Sequence, residues 1–182
     1  MDRPFRRFAP ARSGTMALVG NSTVGARHAT DQKRNGTMED LANVYAIERL
    51  VLAYATAANR RDFRAMADTF DDNGRLVGMA EMMGLNQEAI VGRADIFSFF
   101  SAALEAVEYI FQNAQLGPVM IDGDEATAQV MLTELARWRG QNLSVFLGRY
   151  EDRYIRTPSG WRFAERKLVP TTLFQPSGQF LI

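Results

Sequence analysis

Phe146-Leu147-Gly148-Arg149-Tyr150-Glu151-Asp152-Arg153-Tyr154-Ile155-Arg156, the turn Thr157-Pro158-Ser159-Gly160, and then Trp161-Arg162-Phe163-Ala164-Glu165-Arg166-Lys167-Leu168 form the stretch that decides the fold. The first limb sets Phe146, Gly148, Tyr150, Asp152 and Tyr154 on one face. Leu147, Arg149, Glu151, Arg153 and Ile155 fall on the other, the period of two that a strand requires. Pro presets the turn backbone and Gly accepts positive φ, so the two limbs close as a hairpin, the last of a strongly curved sheet.

Working back from that hairpin, Asp122-Gly123-Asp124 joins two alternating runs over about 109–121 and 125–138. An Asp-Gly pair in such a place is a strong hairpin signal. Pro118 belongs at a bulge or an edge, because it cannot donate to a ladder. Ahead of the strands the period changes to that of helices. Leu41, Val44, Ile47, Leu50, Val51, Tyr54 and Ala58 make one stripe from Met38 to about Asn59, with Thr37 as N-cap and Glu39 and Asp40 in the dipole-favoured first turn. A short helix is expected over about 62–70 with Asp62 as its cap. A turn at Asp71-Asp72-Asn73-Gly74, a short strand over 75–80, an irregular Met- and Gly-rich stretch over 81–92 and a third helix over about 94–107 follow. The last dozen residues read as a packed tail. Helices first and hairpins afterwards is an α+β order. Three helices packed on a curved antiparallel sheet make a cone-shaped α+β barrel with a pocket between the layers.

Composition sets the outer bounds. The 182 residues are 47% apolar and 23% charged, the profile of a globular chain able to bury a core. No apolar run approaches the length of a membrane span, so no membrane partner is expected. The chain has no cysteine, which removes thiolate chemistry and Cys-based metal sites and fits a cytoplasmic location. Net charge is zero, yet unevenly spread: residues 1–37 hold 7 Lys and Arg against 2 acids, leaving 14 basic against 19 acidic residues in the remainder. The basic arm lacks a hydrophobic period and reads as a disordered leader over 1–37, with a single domain over 38–182. The folded part carries no basic patch interleaved with aromatics, so no nucleic-acid partner is expected.

Several motifs together resemble the SnoaL-like families of the nuclear transport factor 2-like (cystatin-like) superfamily, over roughly residues 38–170. They are Tyr54-Ala55-Thr56-Ala57-Ala58-Asn59-Arg60-Arg61-Asp62, Phe70-Asp71-Asp72, Val91-Gly92-Arg93, Asp122-Gly123-Asp124-Glu125-Ala126 and Gly148-Arg149-Tyr150-Glu151-Asp152. The hairpin also resembles ring-hydroxylating dioxygenase β subunits. The resemblance implies the cone fold and a small-molecule pocket. In dehydratase-type relatives such as scytalone dehydratase, an acid at the Asn59 position pairs with a pocket histidine, and histidines sit near Phe111-Gln112-Asn113. Here the only histidine is His28, in the arm, so that dyad is not expected in the domain.

The candidate site residues are therefore of other types. Tyr54, on the helical stripe, is a hydrogen-bond donor or a core tyrosine. Asn59 is a ligand contact in place of the family acid, or a helix C-terminal cap. Gln112 and Asn113 alternate, so at most one faces the pocket. Glu134, mid-strand among apolar neighbours, is a base with a raised pKa if inward and a cross-strand ion-pair partner if outward. Met83 and Met131, with Met79, Met82 and Met120, line an adaptable cavity or fill a core. Arg149, Asp152, Arg153 and Arg166 read as ion pairs on the outer face. No metal ligand set and no phosphate loop are recognisable, so neither metal nor cofactor is expected. The expected function is binding or converting a small apolar molecule, aromatic or polycyclic, as a cofactor-free lyase, isomerase or hydrolase. The alternatives are a non-catalytic β-type subunit and a binding module without chemistry. Bulky residues on both sheet faces lead to an expected homodimer or higher homo-oligomer.

Overall fold

The computed structural model describes residues 38–176. The expected leader over 1–37, with Thr37 and His28, lies outside the described residues. Helix α1 runs Met38–Asn59, and after Asp62, whose carboxylate accepts the Ala65 amide at 2.9 Å, α2 runs Phe63–Ala67. Strand β1 is Phe70–Val77, α3 is Met79–Met82, β2 is Ala89–Val91 and α4 is Arg93–Ala103. Four long strands follow: β3 Val107–Asp122, β4 Glu125–Trp138, β5 Ser144–Thr157 and β6 Gly160–Phe174.

The six strands form one sheet in the order β2-β1-β6-β5-β4-β3. All pairs are antiparallel except β1 with β6, which is parallel. The sheet is thus mixed where an antiparallel one was expected, because β1 is reached through helices instead of a hairpin. Register slips between Leu116 and Val119, Leu147 and Gly148, and Arg153 and Tyr154 bend it. Pro118 falls inside the first of these, on edge strand β3.

The curved sheet wraps the buried stripe of α1: Ile47, Leu50, Val51, Tyr54, Ala57 and Ala58 pack against Val130, Leu132, Tyr150, Phe163 and Leu168. Five local expectations are corrected. Leu41 is exposed and Asn43 takes the inward position, accepting the Trp161 indole N–H at 3.3 Å. Phe70 opens β1 instead of closing α2, and the turn at 71–74 is an irregularity within that strand. The stretch 81–92 is not wholly irregular, since it holds the end of α3 and all of β2. Of the expected packed tail over the last dozen residues, 171–174 continue β6, with Phe174 paired to Val145. Residues 171–175 are exposed instead of packed, and 177–182 lie outside the described residues.

Candidate functional site

Three elements bring polar groups to one end of the core. On β3 and β4 the inner faces carry Gln112 and Glu134 directly across the ladder from each other. The Gln112 amide N–H donates to Glu134 Oε2 at 2.6 Å. Helix α1 adds Tyr54, fully buried and edge-on to Phe70, Phe100, Tyr150 and Phe163 at centroid distances of 5.9–6.2 Å. Tyr54, Gln112 and Glu134 line a cavity of about 40 Å³ whose remaining wall is apolar, with Met66, Met79, Met82, Met83, Phe99 and Leu104. That volume holds a few waters.

Burial dominates the electrostatics. Desolvation raises the Glu134 pKa above the ordinary carboxylate range, and the Gln112 hydrogen bond opposes it only in part. The Tyr54 phenol is pushed up to about 12 by burial, against the pull of Arg166. Tyr150 is raised well above its ordinary value, first by burial and then by its neighbour Tyr54. Deeper in, Arg166 and Asp152 form a fully buried two-pronged pair, Nε to Oδ1 at 3.0 Å and Nη2 to Oδ2 at 2.7 Å. Tyr154 donates to the same carboxylate at 3.0 Å. Burial pulls the Arg166 pKa down, but the charge and hydrogen bonds of Asp152 more than reverse this. The guanidinium lies 4.3, 4.1 and 3.9 Å from the ring centres of Tyr54, Tyr150 and Phe163.

The structure brings four of the seven candidates together at the cavity: Tyr54, Gln112, Glu134 and Met83. It does not bring the other three. Asn59 is taken up by the backbone of β3, its Nδ2 donating to the Gln112 carbonyl at 3.1 Å while Oδ1 accepts the Gln112 N–H. Asn113 and Met131 lie on the opposite faces of their strands from Gln112 and Glu134, and Met131 is 56% exposed. Asn113 instead borders an open groove of about 500 Å³ between α1 and β3, where Glu48 is the one charged lining residue among those described. Glu134 resolves to the inward alternative.

Asp152 and Arg166 correct the outer-face reading, whereas Arg149 and Arg153 do pair outside, with Glu151 and Glu125. The signal for Asp152 was its phase with Tyr150 and Tyr154. Arg166 was masked by the slip at Ala164: Phe163 faces Tyr154 and Glu165 faces Arg153, so the inward phase passes from 161 and 163 to 166 and 168. Among the described residues no group of three or more His, Cys, Asp or Glu side chains is arranged to hold a metal ion. No helix there is long and apolar enough to cross a membrane.

Helices cradled in a curved sheet around an inward cavity are the architecture of the nuclear transport factor 2-like proteins. A proposed dehydratase of that family from Streptomyces avermitilis superposes with a TM-score of 0.61 at 17% identity, covering 72% of this chain and 98% of its own. A proposed aromatic ring hydroxylase from Novosphingobium aromaticivorans gives 0.66 at 21% identity, with 75% and 94% covered. A proposed scytalone dehydratase from the same species gives 0.64 at 16%, with 77% and 91% covered. No protein of curated function matches in sequence. Within this fold class, residues 39–167 match the SnoaL-like domain, and the chain belongs to that family.

Proposed function

We propose that this SnoaL-like domain binds a small apolar molecule and moves a proton on it without a cofactor, as a lyase or isomerase, with Glu134 carrying the proton. The observation behind this reading is the one inward carboxyl that the described residues place on the cavity wall, held by Gln112 and raised by burial above the ordinary carboxylate value. Tyr54 supplies a neutral hydrogen-bond donor, and Arg166 with Asp152 stays a structural pair. Fold relatives described as dehydratases agree with elimination chemistry. A larger aromatic or polycyclic ligand needs the methionine wall to give way. That wall hangs on α3, which is flanked by Gly78 and Gly84, both at positive φ, and thioether side chains repack readily.

The test is deuterium uptake from D2O into a panel of ketones and β-hydroxy ketones, followed by proton NMR. The wild type should exchange or eliminate at least one member, and Glu134→Gln should not, while remaining folded. Exchange that survives in Glu134→Gln removes Glu134 from the role. Binding of panel members without exchange favours a module that keeps the pocket and has no chemistry.

A further inference from the structure

The open groove between α1 and β3 has the two walls of a strand-docking site. Helix α1 supplies Glu48, Val51 and Leu52, and β3 supplies residues 113–116. Strand β3 is an edge of the sheet, so one side of its backbone lacks a neighbouring strand. Asn59 shows which groups point that way, since it takes both the N–H and the carbonyl of Gln112 from the side away from β4. Backbone direction alternates along an antiparallel pair. Ala114 opposite Leu132 and Leu116 opposite Val130 therefore repeat the phase of Gln112 opposite Glu134. Their N–H and carbonyl groups open into the groove, and no strand among the described residues pairs with them there. An edge of this kind is a template for an added strand.

We infer that the chain's own residues Met16-Ala17-Leu18-Val19 add to β3 as an extended strand in this groove, drawn there by Glu48. They are the longest apolar run in residues 1–37, bounded by Gly14-Thr15 and Gly20. Four residues of strand, about 13 Å, match the length of β3 that borders the groove. The 18 residues between Val19 and Met38 reach up to roughly 60 Å when extended. From Met38 to Leu52 the helix rises only about 21 Å. A tether of this length holds the run at an effective concentration on the order of millimolar, so even a weak pairing is populated.

Charge and surface agree with that occupant. Residues 1–37 carry 7 Lys and Arg against 2 acids, and the rest of the chain carries 14 against 19. The carboxylate of Glu48 in the groove wall favours a basic segment and opposes an acidic one. Arg12 and Arg27 flank the apolar run on its two sides. Met38, Leu41, Tyr45 and Leu52 are exposed and fall on one stripe of α1 together with Glu48. The stripe leads from the point where the arm joins the domain to the groove. Docking there closes the long edge of the sheet two residues from Gln112.

The chain has no cysteine, so Ser13→Cys gives one site for a nitroxide on the full-length protein. In an isotope-labelled sample the amides of Leu52, Ala114 and Leu116 should lose most of their NMR intensity relative to the reduced label. Leu18→Asp, outside the domain, and Glu48→Lys, on its surface, should each restore it. Hydrogen exchange gives an independent reading. In Leu18→Asp the Ala114 and Leu116 amides should exchange about tenfold faster than in wild type, the weight of a lost backbone hydrogen bond, with Val130 unchanged. A mixture of isotope-labelled chains without nitroxide and unlabelled chains bearing it should show no loss. Loss in that mixture puts the arm on a second copy and overturns the inference. Full intensity at Ala114 and Leu116 in the spin-labelled chain, or a loss that survives either substitution, overturns it as well.

Discussion

Two carboxylates of the domain are taken out of water, and the surroundings treat them in opposite ways. Asp152 receives two hydrogen bonds from Arg166 and one from Tyr154, whereas Glu134 receives one from a neutral amide. Removing one partner of a buried pair strands the other charge, so Asp152→Ala should lose about 3–5 kcal/mol in urea denaturation. Glu134 acts with the reverse sign. Its folded pKa is raised, so the native state binds the proton more tightly than the unfolded chain. Its contribution is therefore most favourable at low pH and is lost as pH climbs from the ordinary glutamate value, about 4.3, toward the raised one. Glu134→Gln should melt higher than wild type at pH 8 and converge with it near pH 4. A gap that is constant across pH would refute the burial argument. Tyr54→Phe removes a hydroxyl that has no hydrogen-bond partner among the described residues, so its stability should stay within about 0.5 kcal/mol of wild type or rise.

At the scale of elements, the end of α1 is tied to the edge of the sheet. Asn59 pairs both its amide groups with the Gln112 backbone, doing for edge strand β3 what a neighbouring strand would do. The same tie sets the position of Gln112, whose side chain holds Glu134. Asn59→Asp keeps the acceptor and loses the donor facing the Gln112 carbonyl, at a loss of about 1 kcal/mol. Hydrogen exchange should show the change first at the Gln112 amide. This element was only partly legible in advance. The span of α1 and the Asp-Gly hairpin follow from local period and turn chemistry. That Asn59 would grip a strand 53 residues away has no local signature, because an asparagine closing a helix looks the same in sequence.

At the scale of the whole molecule, one face of the sheet is left uncovered by the described residues. Phe111, Leu135, Val145 and Phe174 line up across β3, β4, β5 and β6, next to Met131 and Leu147. Met120 is 71% exposed, and Phe111, Met131 and Phe174 are each about half exposed. An apolar row of that extent on a free face is expected to meet a second copy of the chain. Sedimentation equilibrium should give a dimer or larger species, and Met131→Lys with Leu147→Lys should shift it toward monomer. A wild-type mass equal to one chain at all concentrations would contradict this.

Periodicity and turn residues by themselves determined the helix-then-hairpin order, the α+β class and the inward phase of Tyr54, because these depend on neighbours within a few positions. What the tertiary structure decided is which polar residues face one another. The parallel joining of β1 to β6, the slip at Ala164 that turns Arg166 inward against Asp152, and the choice of Glu134's face are all set by strand pairing between distant segments. A one-residue shift in such pairing exchanges the inside and outside of a strand. Local pattern carries the elements, and long-range register carries the chemistry.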